Sequence, residues 1–262
     1  MTRLKNEVAI ITGGAGDIGS AHVESFVREG ANVIIADINE EKGNLIAKKN
    51  SSFSSENKVK YVHLNSTDEE SWKKLSSKTI EEFGKISILV NCYGTNFREK
   101  FINQNLENWN TILNVNLTSV FIGIKELIPF FKLSGKGSII NIGSLASLKG
   151  SPSSPAYTAS KTGLIGLTKS TAVAFAKDKI RCNLVCPGHV DTNFIRNDSD
   201  YSPNDWNTSI NNPENYNQRL SQIPLGRLQT PQDIANLSTF LASEDSNMIT
   251  GGIIAVDGGV TI

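Results

Sequence analysis

The chain has 262 residues, and its 39% hydrophobic content is enough to bury one substantial core. Its 26 acidic and 26 basic residues give zero net charge, and no basic run favours nucleic acid or a membrane surface. We expect no signal peptide, and no apolar stretch that approaches the ~20 residues of a membrane span. Three cysteines without metal-ligand spacing fit a reducing cytosol. We therefore expect one cytoplasmic domain over residues 1–262, without a metal site.

Short apolar runs alternate with helical patterns along the whole chain. Strands are predicted near residues 7–12, 32–36, 59–64, 86–91, 137–143, 180–186 and 252–256. Helices are predicted between them, for example at 17–29, 68–83, 106–132, 155–177 and 231–242. These βα units predict an α/β fold: one doubly wound, Rossmann-type parallel sheet of about seven strands with helices on both faces. The Asn- and Ser-rich stretch from Lys49 to Asn57 is predicted to be a surface loop.

A glycine-rich turn, residues 12–19, joins the first predicted strand to the first helix. Glycines let the backbone approach a diphosphate, and the helix N-terminus offers it unpaired N–H groups. The second strand ends in Asp37, about 20 residues beyond the turn, where a carboxylate can accept hydrogen bonds from an adenosine ribose. It would also repel a 2′-phosphate, and no Arg or Lys lies in the turn or beside Asp37. The pattern predicts NAD rather than NADP; an ordinary βα turn with Asp37 as a helix N-cap is the alternative.

Tyr157 and Lys161 lie four residues apart in a predicted helix and so share one helix face. A free tyrosine, with a pKa of about 10, holds its proton too tightly to act as a base near neutrality. A cation ~4 Å away at an effective dielectric of ~20 is worth about 4 kcal/mol, enough to bring the tyrosine pKa to near 7. The pair predicts a general acid/base, although the same spacing is common on solvated helix faces.

Together, the glycine turn and the Tyr-Lys pair resemble the short-chain dehydrogenases/reductases of the common ~250-residue type, over residues 4–262. The family pattern TGxxxGxG is matched by Thr12, Gly13 and Gly19, whereas Asp17 stands where the middle glycine is usual. Further matches follow in the family's order: Asn65-Ser66-Thr67, Asn91-Cys92-Tyr93-Gly94, Asn116, Ser144 and Pro187-Gly188-His189-Val190-Asp191-Thr192.

The resemblance implies four catalytic residues: Asn116, Ser144, Tyr157 and Lys161. Tyr157 would move the proton, Lys161 would hold the phenolate and bond the nicotinamide ribose, Ser144 would hydrogen-bond the substrate oxygen, and Asn116 would anchor a relay water. It also implies cofactor contacts at Gly13, Gly16, Asp17, Ile18, Gly19, Asp37, Asn65, Ser66, Asn91, Gly94, Tyr157, Lys161, Pro187, Gly188, Val190 and Thr192. As alternatives, Ser144 is a turn residue and Asn116 a helix-kink or cap residue.

Residues 192–223 are polar and rich in Asn, and in the family this span folds over the substrate as a mobile lid. Lids exclude water and set specificity, so we expect the lid to select the substrate; a merely decorative insertion is the alternative. His189 either touches the substrate or caps a turn. His22 and His63 have no identifiable partner and are expected to be structural, and Cys182 and Cys186 are expected in the core.

The implied activity is hydride transfer between NAD(H) and a secondary alcohol or ketone. The polar lid favours a small polyol, sugar or cyclic alcohol, and Tyr93, where the family usually has alanine, would narrow the floor beside the cofactor. The segment 255–259 resembles the family's tail at a subunit contact, which implies a homotetramer or homodimer. A non-catalytic NAD(H)-sensing protein on the same fold and an NADP-dependent carbonyl reductase are the alternatives.

Overall fold

The computed structural model describes residues 2–52 and 58–262. Over these residues, seven parallel strands form one sheet in the order β3-β2-β1-β4-β5-β6-β7. The strands are β1 Val8–Thr12, β2 Asn32–Asp37, β3 Val59–His63, β4 Ile88–Asn91, β5 Gly137–Ile142, β6 Ile180–Pro187 and β7 Ile253–Val256. The predicted doubly wound parallel sheet is confirmed, with each strand within two residues of its expected bounds.

Helices connect the strands and cover the sheet. They are α1 Asp17–Arg28, α2 Glu40–Ser51, α3 Glu69–Phe83, α4 Leu106–Leu113, α5 Ser119–Leu133, α6 Pro155–Phe175, α7 Asn193–Arg196, α8 Pro213–Leu220 and α9 Pro231–Ala242.

The prediction of a surface loop from Lys49 to Asn57 is wrong over residues 49–51, because α2 continues to Ser51. There Asn50 Nδ2 donates to the Ile46 carbonyl (2.9 Å) and Ser51 Oγ to the Ala47 carbonyl (2.8 Å), so polar side chains bond the preceding helical turn. The remainder of that predicted loop, residues 53–57, lies outside the described residues.

Two apolar layers sandwich the sheet. One contains Trp72, Leu127 and Phe131 with strand residues such as Ile10, and the other contains Phe26 with residues such as Ile11. Successive strand residues face opposite layers, which explains why β1 and β5 are buried at every position. Burying each large apolar side chain is worth about 1.5–3 kcal/mol, so the sheet is a stiff frame for its edges.

The predicted helix 106–132 is interrupted by a π-helical turn, Asn114–Thr118, between α4 and α5. By length and composition alone, the stretch Leu106–Leu133 could cross a membrane, so the expectation that no apolar stretch approaches that length is wrong. Here Ile124, Leu127 and Phe131 of α5 pack in the core with Trp72. The apolar composition therefore reflects burial against the sheet.

Because all seven strands are parallel, their carboxyl ends meet at one edge. The glycine turn, Asp37 and Asn91 follow or end β1, β2 and β4 at this edge, and Ser144 and Gly188 follow β5 and β6 there. Ligands of open α/β sheets bind at this edge, which locates the candidate site.

Candidate active site

The glycine turn after β1 is too tightly packed for side chains. A Cβ on Gly13 (φ +63°) would lie 2.7 Å from the Tyr93 nitrogen, and one on Gly19 only 2.1 Å from the Gly13 carbonyl oxygen. Gly16 precedes α1 and supplies no side-chain cap, so the amides that open the helix at Asp17, Ile18 and Gly19 are left for a ligand. A backbone cradle at a helix N-terminus fits the diphosphate of a dinucleotide.

Asp37 is held against this turn. Its Oδ2 accepts a hydrogen bond from the Ala15 backbone N–H (3.0 Å), and its Oδ1 accepts one from the Asn39 N–H (2.9 Å). The N-cap of α2 is Asn39, whose Oδ1 accepts from the Lys42 N–H (3.0 Å). The carboxylate of Asp37 therefore lies beside the glycine turn, and the helix-cap alternative is wrong.

Asp17 has a role that sequence reasoning missed. Its two carboxylate oxygens accept from the backbone N–H (2.6 Å) and the side-chain amide (3.0 Å) of Asn193. Asn193 is the first residue of α7, at the start of the predicted lid. The residue that replaces the family's middle glycine thus ties the glycine turn to the lid, and the departure from the pattern was its only signal in the sequence.

Tyr157 and Lys161 lie together on α6, as their spacing predicts. The Lys161 Nζ is 5.8 Å from the centre of the Tyr157 ring. Lys161 is buried, and its Nζ donates to the carbonyl of Ile142 at the end of β5 (2.8 Å). The sheet edge therefore fixes the ammonium beside the phenol.

The expected electrostatics of the pair are not found. Burial raises the pKa of Tyr157, opposed by a hydrogen bond with Ser144 and by the positive charge of Arg98. Burial also lowers the pKa of Lys161 to about 8. The prediction that Lys161 lowers the tyrosine pKa is wrong for this structure, because the buried ammonium, with a pKa of about 8, has already lost its charge at the pH where the phenol of Tyr157 would ionise. Arg98, the cation that acts on Tyr157, was not identified from the sequence.

Ser144 both caps a turn and contacts the phenol. Its Oγ accepts from the Ala146 N–H (3.1 Å), while its own N–H donates to Ser147 Oγ (3.2 Å). Ser147 Oγ in turn donates to the Lys161 carbonyl (2.8 Å), which joins this turn to α6. The turn interpretation of Ser144 is confirmed, and capping fixes its position beside Tyr157. Its catalytic role stays a prediction.

Asn116 lies fully buried in the π-helical turn. Its Oδ1 accepts from the Thr95 N–H (2.8 Å), and its Nδ2 donates to the Thr95 carbonyl (2.9 Å) and to Ser160 Oγ (3.1 Å). A Cβ on Gly94 would lie 3.3 Å from Asn116 Oδ1 and 3.5 Å from Lys161 Nζ. Asn116 is thus the predicted helix-kink residue and also lies near Lys161 on the other side of Gly94. Its relay water stays a prediction.

Two predicted cofactor residues direct their side chains elsewhere. The Asn91 side chain is buried and donates to Asn141 Oδ1 (2.9 Å), so it joins β4 to β5. The Asn65 Oδ1 accepts from the backbone and hydroxyl of Thr67 (3.2 and 2.8 Å), which forms a local turn. Ser66 accepts from Trp72 Nε1 through its carbonyl (2.8 Å). Any cofactor contact of Asn91 would have to use its backbone.

Tyr93 does not narrow the floor beside the cofactor. Its ring packs against the core layer that contains Trp72, and burial raises the pKa of its hydroxyl, which lies near Ser66 and Ser119. The slight argument against bulky substrates drawn from Tyr93 is therefore wrong.

The segment after β6 leads from the sheet edge into the lid. The Gly188 N–H donates to the Val256 carbonyl (2.9 Å) and to Gln229 Oε1 (2.7 Å), and a Cβ there would lie 2.8 Å from the Asp257 Cα. Pro187 ends β6, and Val190 and Thr192 are buried. His189 Nε2 lies 3.4 Å from Gln222 Oε1 in the lid, so this histidine contacts the lid side chain and was undecided from sequence.

Arg98 joins the loop after β4 to the lid. Its guanidinium donates to Ser202 Oγ (3.0 Å) and to the carbonyls of Pro203 (3.1 Å) and Phe194 (3.4 Å), and it lies 5.8 Å from the Phe194 ring centre. With Asp17, it makes a second polar anchor between the sheet edge and the lid.

The remaining titratable candidates are structural. His22 is fully buried between the Ile18 carbonyl (2.7 Å) and Ser238 Oγ (2.8 Å), and burial lowers its pKa to about 4. Cys182 and Cys186 lie in the core, as predicted. Across residues 2–52 and 58–262, no group of three or more His, Cys, Asp or Glu side chains could hold a metal ion.

A parallel sheet with a glycine turn and a Tyr-Lys pair at its carboxyl edge defines a dinucleotide-binding oxidoreductase. A family model described as enoyl-(acyl carrier protein) reductase matches residues 13–261. The chain belongs to the short-chain dehydrogenase/reductase family, whose members use nicotinamide cofactors.

Relatives match nearly the whole chain. The 3-oxoacyl-(acyl-carrier-protein) reductase FabG of Thermotoga maritima is 35% identical over 99% of this chain and 100% of its own length. The trans-4-hydroxycyclohexanecarboxylate dehydrogenase of Sinomonas cyclohexanicum is 36% identical over 99% and 94%. The crystal structure of gox2181 superposes with a TM-score of 0.90 and 30% identity, covering 99% of this chain and 97% of that one.

Proposed function

We propose that this protein is an NAD(H)-dependent dehydrogenase that interconverts a secondary alcohol and a ketone. The observation that carries the proposal is the convergence of Ser144, Tyr157 and Lys161 at the sheet edge that also holds the glycine turn. Asn116 adjoins them through Gly94. This proposal places the whole chain in one catalytic domain with residues 192–223 as its lid.

The chain's own residues would manage the proton. When bound, NAD(H) supplies the hydride chemistry. Because burial raises the pKa of Tyr157, its phenol is protonated near neutrality and is ready to donate to a ketone oxygen. In the oxidative direction the same phenol must first lose its proton, and the charge of Arg98 and the hydrogen bond with Ser144 favour that ionised form. Ser144, bonded to the phenol, can donate to the substrate oxygen as charge develops there.

Tyr157→Phe tests the acid/base assignment. We expect the rate of NADH formation with a panel of polyols, cyclic alcohols and hydroxysteroids to fall by about 10²- to 10⁴-fold, with NADH binding retained. Tyr201→Phe is the matched control, because the exposed Tyr201 contributes only its backbone carbonyl to the hydrogen bonds around the site. An unchanged rate in Tyr157→Phe would refute the assignment. NADH binding without turnover of any alcohol or ketone would instead favour the non-catalytic sensor.

The preference for NAD is supported by Asp37 at the glycine turn. We expect Asp37→Ala to reduce the NAD-over-NADP ratio of kcat/KM by about 10- to 100-fold, because ribose hydrogen bonds and the repulsion of a 2′-phosphate are lost together. Asp245→Ala, at an exposed position away from the turn, is the control for removing one charge. A wild-type preference for NADPH would overturn the cofactor proposal.

A small cyclic alcohol is the substrate class that we favour. The lid is polar, and one relative is named for a hydroxycyclohexanecarboxylate and another, from Sphingobium indicum, for a cyclohexadiene diol. A further relative from Mycobacterium tuberculosis is named as a hydroxysteroid dehydrogenase. Rings that bear a secondary alcohol are common to these three names, and the substrate panel measures the preference directly.

We also propose a cytoplasmic homotetramer or homodimer. The support is the exposure of apolar side chains on α5 and α6, where Phe121 is 50% and Val173 82% exposed. Sedimentation equilibrium would measure the assembly, and a monomer at micromolar concentration would overturn it.

A further inference from the structure

Two arginines from separate elements carry unneutralised positive charge near the segment after β6. Arg98 comes from the loop after β4, and Arg219 comes from α8 in the lid. His189, in the turn after β6, lies 3.4 Å from Gln222, three residues beyond Arg219, and burial lowers its pKa, so it is neutral at pH 7. The charges of Arg98 and Arg219 repel each other, and Arg219 also acts on His189. Arg98 acts in turn on the phenol of Tyr157. One cationic region therefore extends from the reacting hydroxyl into the lid.

Acidic side chains do not balance these cations. Among the described residues, no salt bridge joins Arg98 or Arg219 to a carboxylate. By contrast, lid residue Arg196 is paired with Asp191, and Arg227 with Asp233. Carboxylates thus neutralise Arg196 and Arg227, whereas Arg98 and Arg219 have no carboxylate partner.

The two arginines differ in how they are held. Arg98 makes three hydrogen bonds to acceptors in the lid, so its role as an anchor of the lid explains why it is present. Over residues 2–52 and 58–262, the Arg219 guanidinium has neither a hydrogen-bond acceptor nor an ionic partner. It is half-buried all the same, and burial lowers its pKa. Holding an unpaired cation away from water, against a second cation, is unfavourable unless an anion joins it.

The position of Arg219 is set by packing. Its helix, α8, begins at Pro213 with Asn212 as N-cap, which accepts from the Glu214 N–H (3.0 Å). Neighbouring residues Tyr216 and Leu220 pack onto the lid core of Ile210, Ile223 and Leu228. The guanidinium is therefore presented by an anchored helix.

We propose that the substrate carries a carboxylate, which Arg219 binds with Arg98 alongside, while its secondary alcohol reaches Tyr157 and Ser144. This inference rests on the proposed dehydrogenase activity and names the substrate class of that site. A carboxylate is favoured over a phosphate because the Arg98 donors are largely used by the lid. One free guanidinium fork matches one carboxylate bidentately.

A pair of substrates that differ only in charge tests the proposal. We would measure kcat/KM for 4-hydroxycyclohexanecarboxylate and for 4-hydroxycyclohexanecarboxamide, each with NAD. The wild type should prefer the carboxylate at least 10-fold. Arg219→Gln should reduce that preference by about 10- to 100-fold, the range expected for one lost charge-assisted hydrogen bond, mainly through KM. Arg219→Lys, which keeps the charge without the planar fork, should retain part of it.

Lys177→Gln is the control, because it removes one exposed positive charge just before the amino end of β6, at the opposite edge of the sheet. NADH binding and Tm of each variant establish folding, and Arg219→Lys carries the test if Arg219→Gln does not fold. An equal kcat/KM for the two wild-type substrates would overturn the inference. So would an unchanged preference in Arg219→Gln, or a cyclohexyl phosphate that binds more tightly than cyclohexanecarboxylate.

A binding measurement separates this inference from the proposed activity. Cyclohexanecarboxylate, which cannot be oxidised at a carbinol, would be titrated calorimetrically into the NADH complex. Binding that weakens at least 10-fold in Arg219→Gln supports the carboxylate site even if no alcohol is turned over, in which case the dehydrogenase proposal fails alone. Turnover of neutral alcohols, without any carboxylate binding, leaves the dehydrogenase proposal standing and overturns this one.

Discussion

The cluster of Asn116, Ser144, Tyr157 and Lys161 and the predicted lid, residues 192–223, are stabilised in different ways. In the cluster, Lys161 is bonded to a strand carbonyl and Asn116 to both polar groups of the Thr95 backbone. In the lid, Asn204 Nδ2 donates to three carbonyls of its own segment, those of Phe194, Asn197 and Ser202. The cluster thus depends on the sheet and on the loop after β4, whereas the lid depends on bonds within its own segment and on its two anchors at Asp17 and Arg98.

Under the proposed function, this difference separates the residues that move the proton from the segment that selects the substrate. Residues fixed to buried strands keep the distances that proton transfer needs, because the sheet resists deformation. The lid packs around a small core in which three residues are buried, Ile210 and Ile223 of the lid and Leu228 just after it. A segment with few buried apolar contacts opens at a lower free energy than the core, which is what the proposed lid role requires.

The largest effects on kcat and on the free energy of unfolding should come from Lys161→Met. Burial of the Lys161 ammonium in the cluster destabilises the folded protein. We expect at least a 100-fold loss of kcat and, at pH 7, a gain in the free energy of unfolding of up to about 3 kcal/mol. The sign follows from the pKa, which falls from 10.5 to about 8 on folding. Between pH 8 and pH 10.5 the unfolded wild-type protein binds more protons than the folded protein does, so its free energy of unfolding rises with pH. The variant lacks the ammonium and therefore lacks this rise.

Urea unfolding from pH 7 to pH 10.5 measures the effect. Lys169→Met, on the exposed face of the same helix, should change neither kcat nor the pH slope. If the free energy of unfolding of the wild type falls between pH 8 and pH 10.5 at the same rate as that of the Lys161 variant, the buried ammonium does not destabilise the fold.

A smaller effect is expected from Gly94→Ala, which tests how tightly the cluster is packed. The new methyl group would lie 3.3 Å from Asn116 Oδ1 and 3.5 Å from Lys161 Nζ, so at least one of them must move by a few tenths of an ångström. We expect kcat to fall about 10-fold, because small misplacements of catalytic groups are costly. Gly150→Ala, whose Cβ would meet nothing within 4 Å, should leave kcat unchanged; equal kcat in both variants would mean that the cluster is loosely packed.

The cluster was largely predictable from the sequence because its members follow regular elements at fixed spacings. Tyr157 and Lys161 share a helix face, and Ser144 and Asp37 come at strand ends, where parallel topology brings them to one edge. The strand and helix bounds follow from apolar periodicity for the same reason. The pKa of Tyr157 was predicted with the wrong sign because it depends on burial and on Arg98, which spacing does not reveal.

The contacts of the predicted lid were not predictable from the sequence, and its role as a lid stays a prediction. Its contacts join residues far apart in sequence, such as Asp17 with Asn193 and Arg98 with Ser202, and a single sequence gives no signal for such pairs. The partner of the Asn91 side chain was unpredictable for the same reason, because Asn141 lies on another strand. Local patterns specify elements, whereas the polar contacts between elements depend on the completed fold.

The smallest effect tests whether Asp17 holds the lid closed. In Asp17→Ala, the Asn193 amide loses its acceptor and the lid loses two hydrogen bonds to a carboxylate. We expect amide hydrogen exchange over residues 193–197 to accelerate about 10-fold, and exchange in β1 and β5 to stay slow. Because exposed hydrogen bonds to charges are partly offset by water, we do not expect the exchange to accelerate further.

Two variants serve as controls. Asn193→Ala, which keeps the backbone hydrogen bond to Asp17, should accelerate the exchange less. Asn217→Ala, at an exposed position on α8, should not accelerate it at all. Unchanged exchange in Asp17→Ala would mean that the lid is held by Arg98 and its own core, and that Asp17 merely occupies the glycine position.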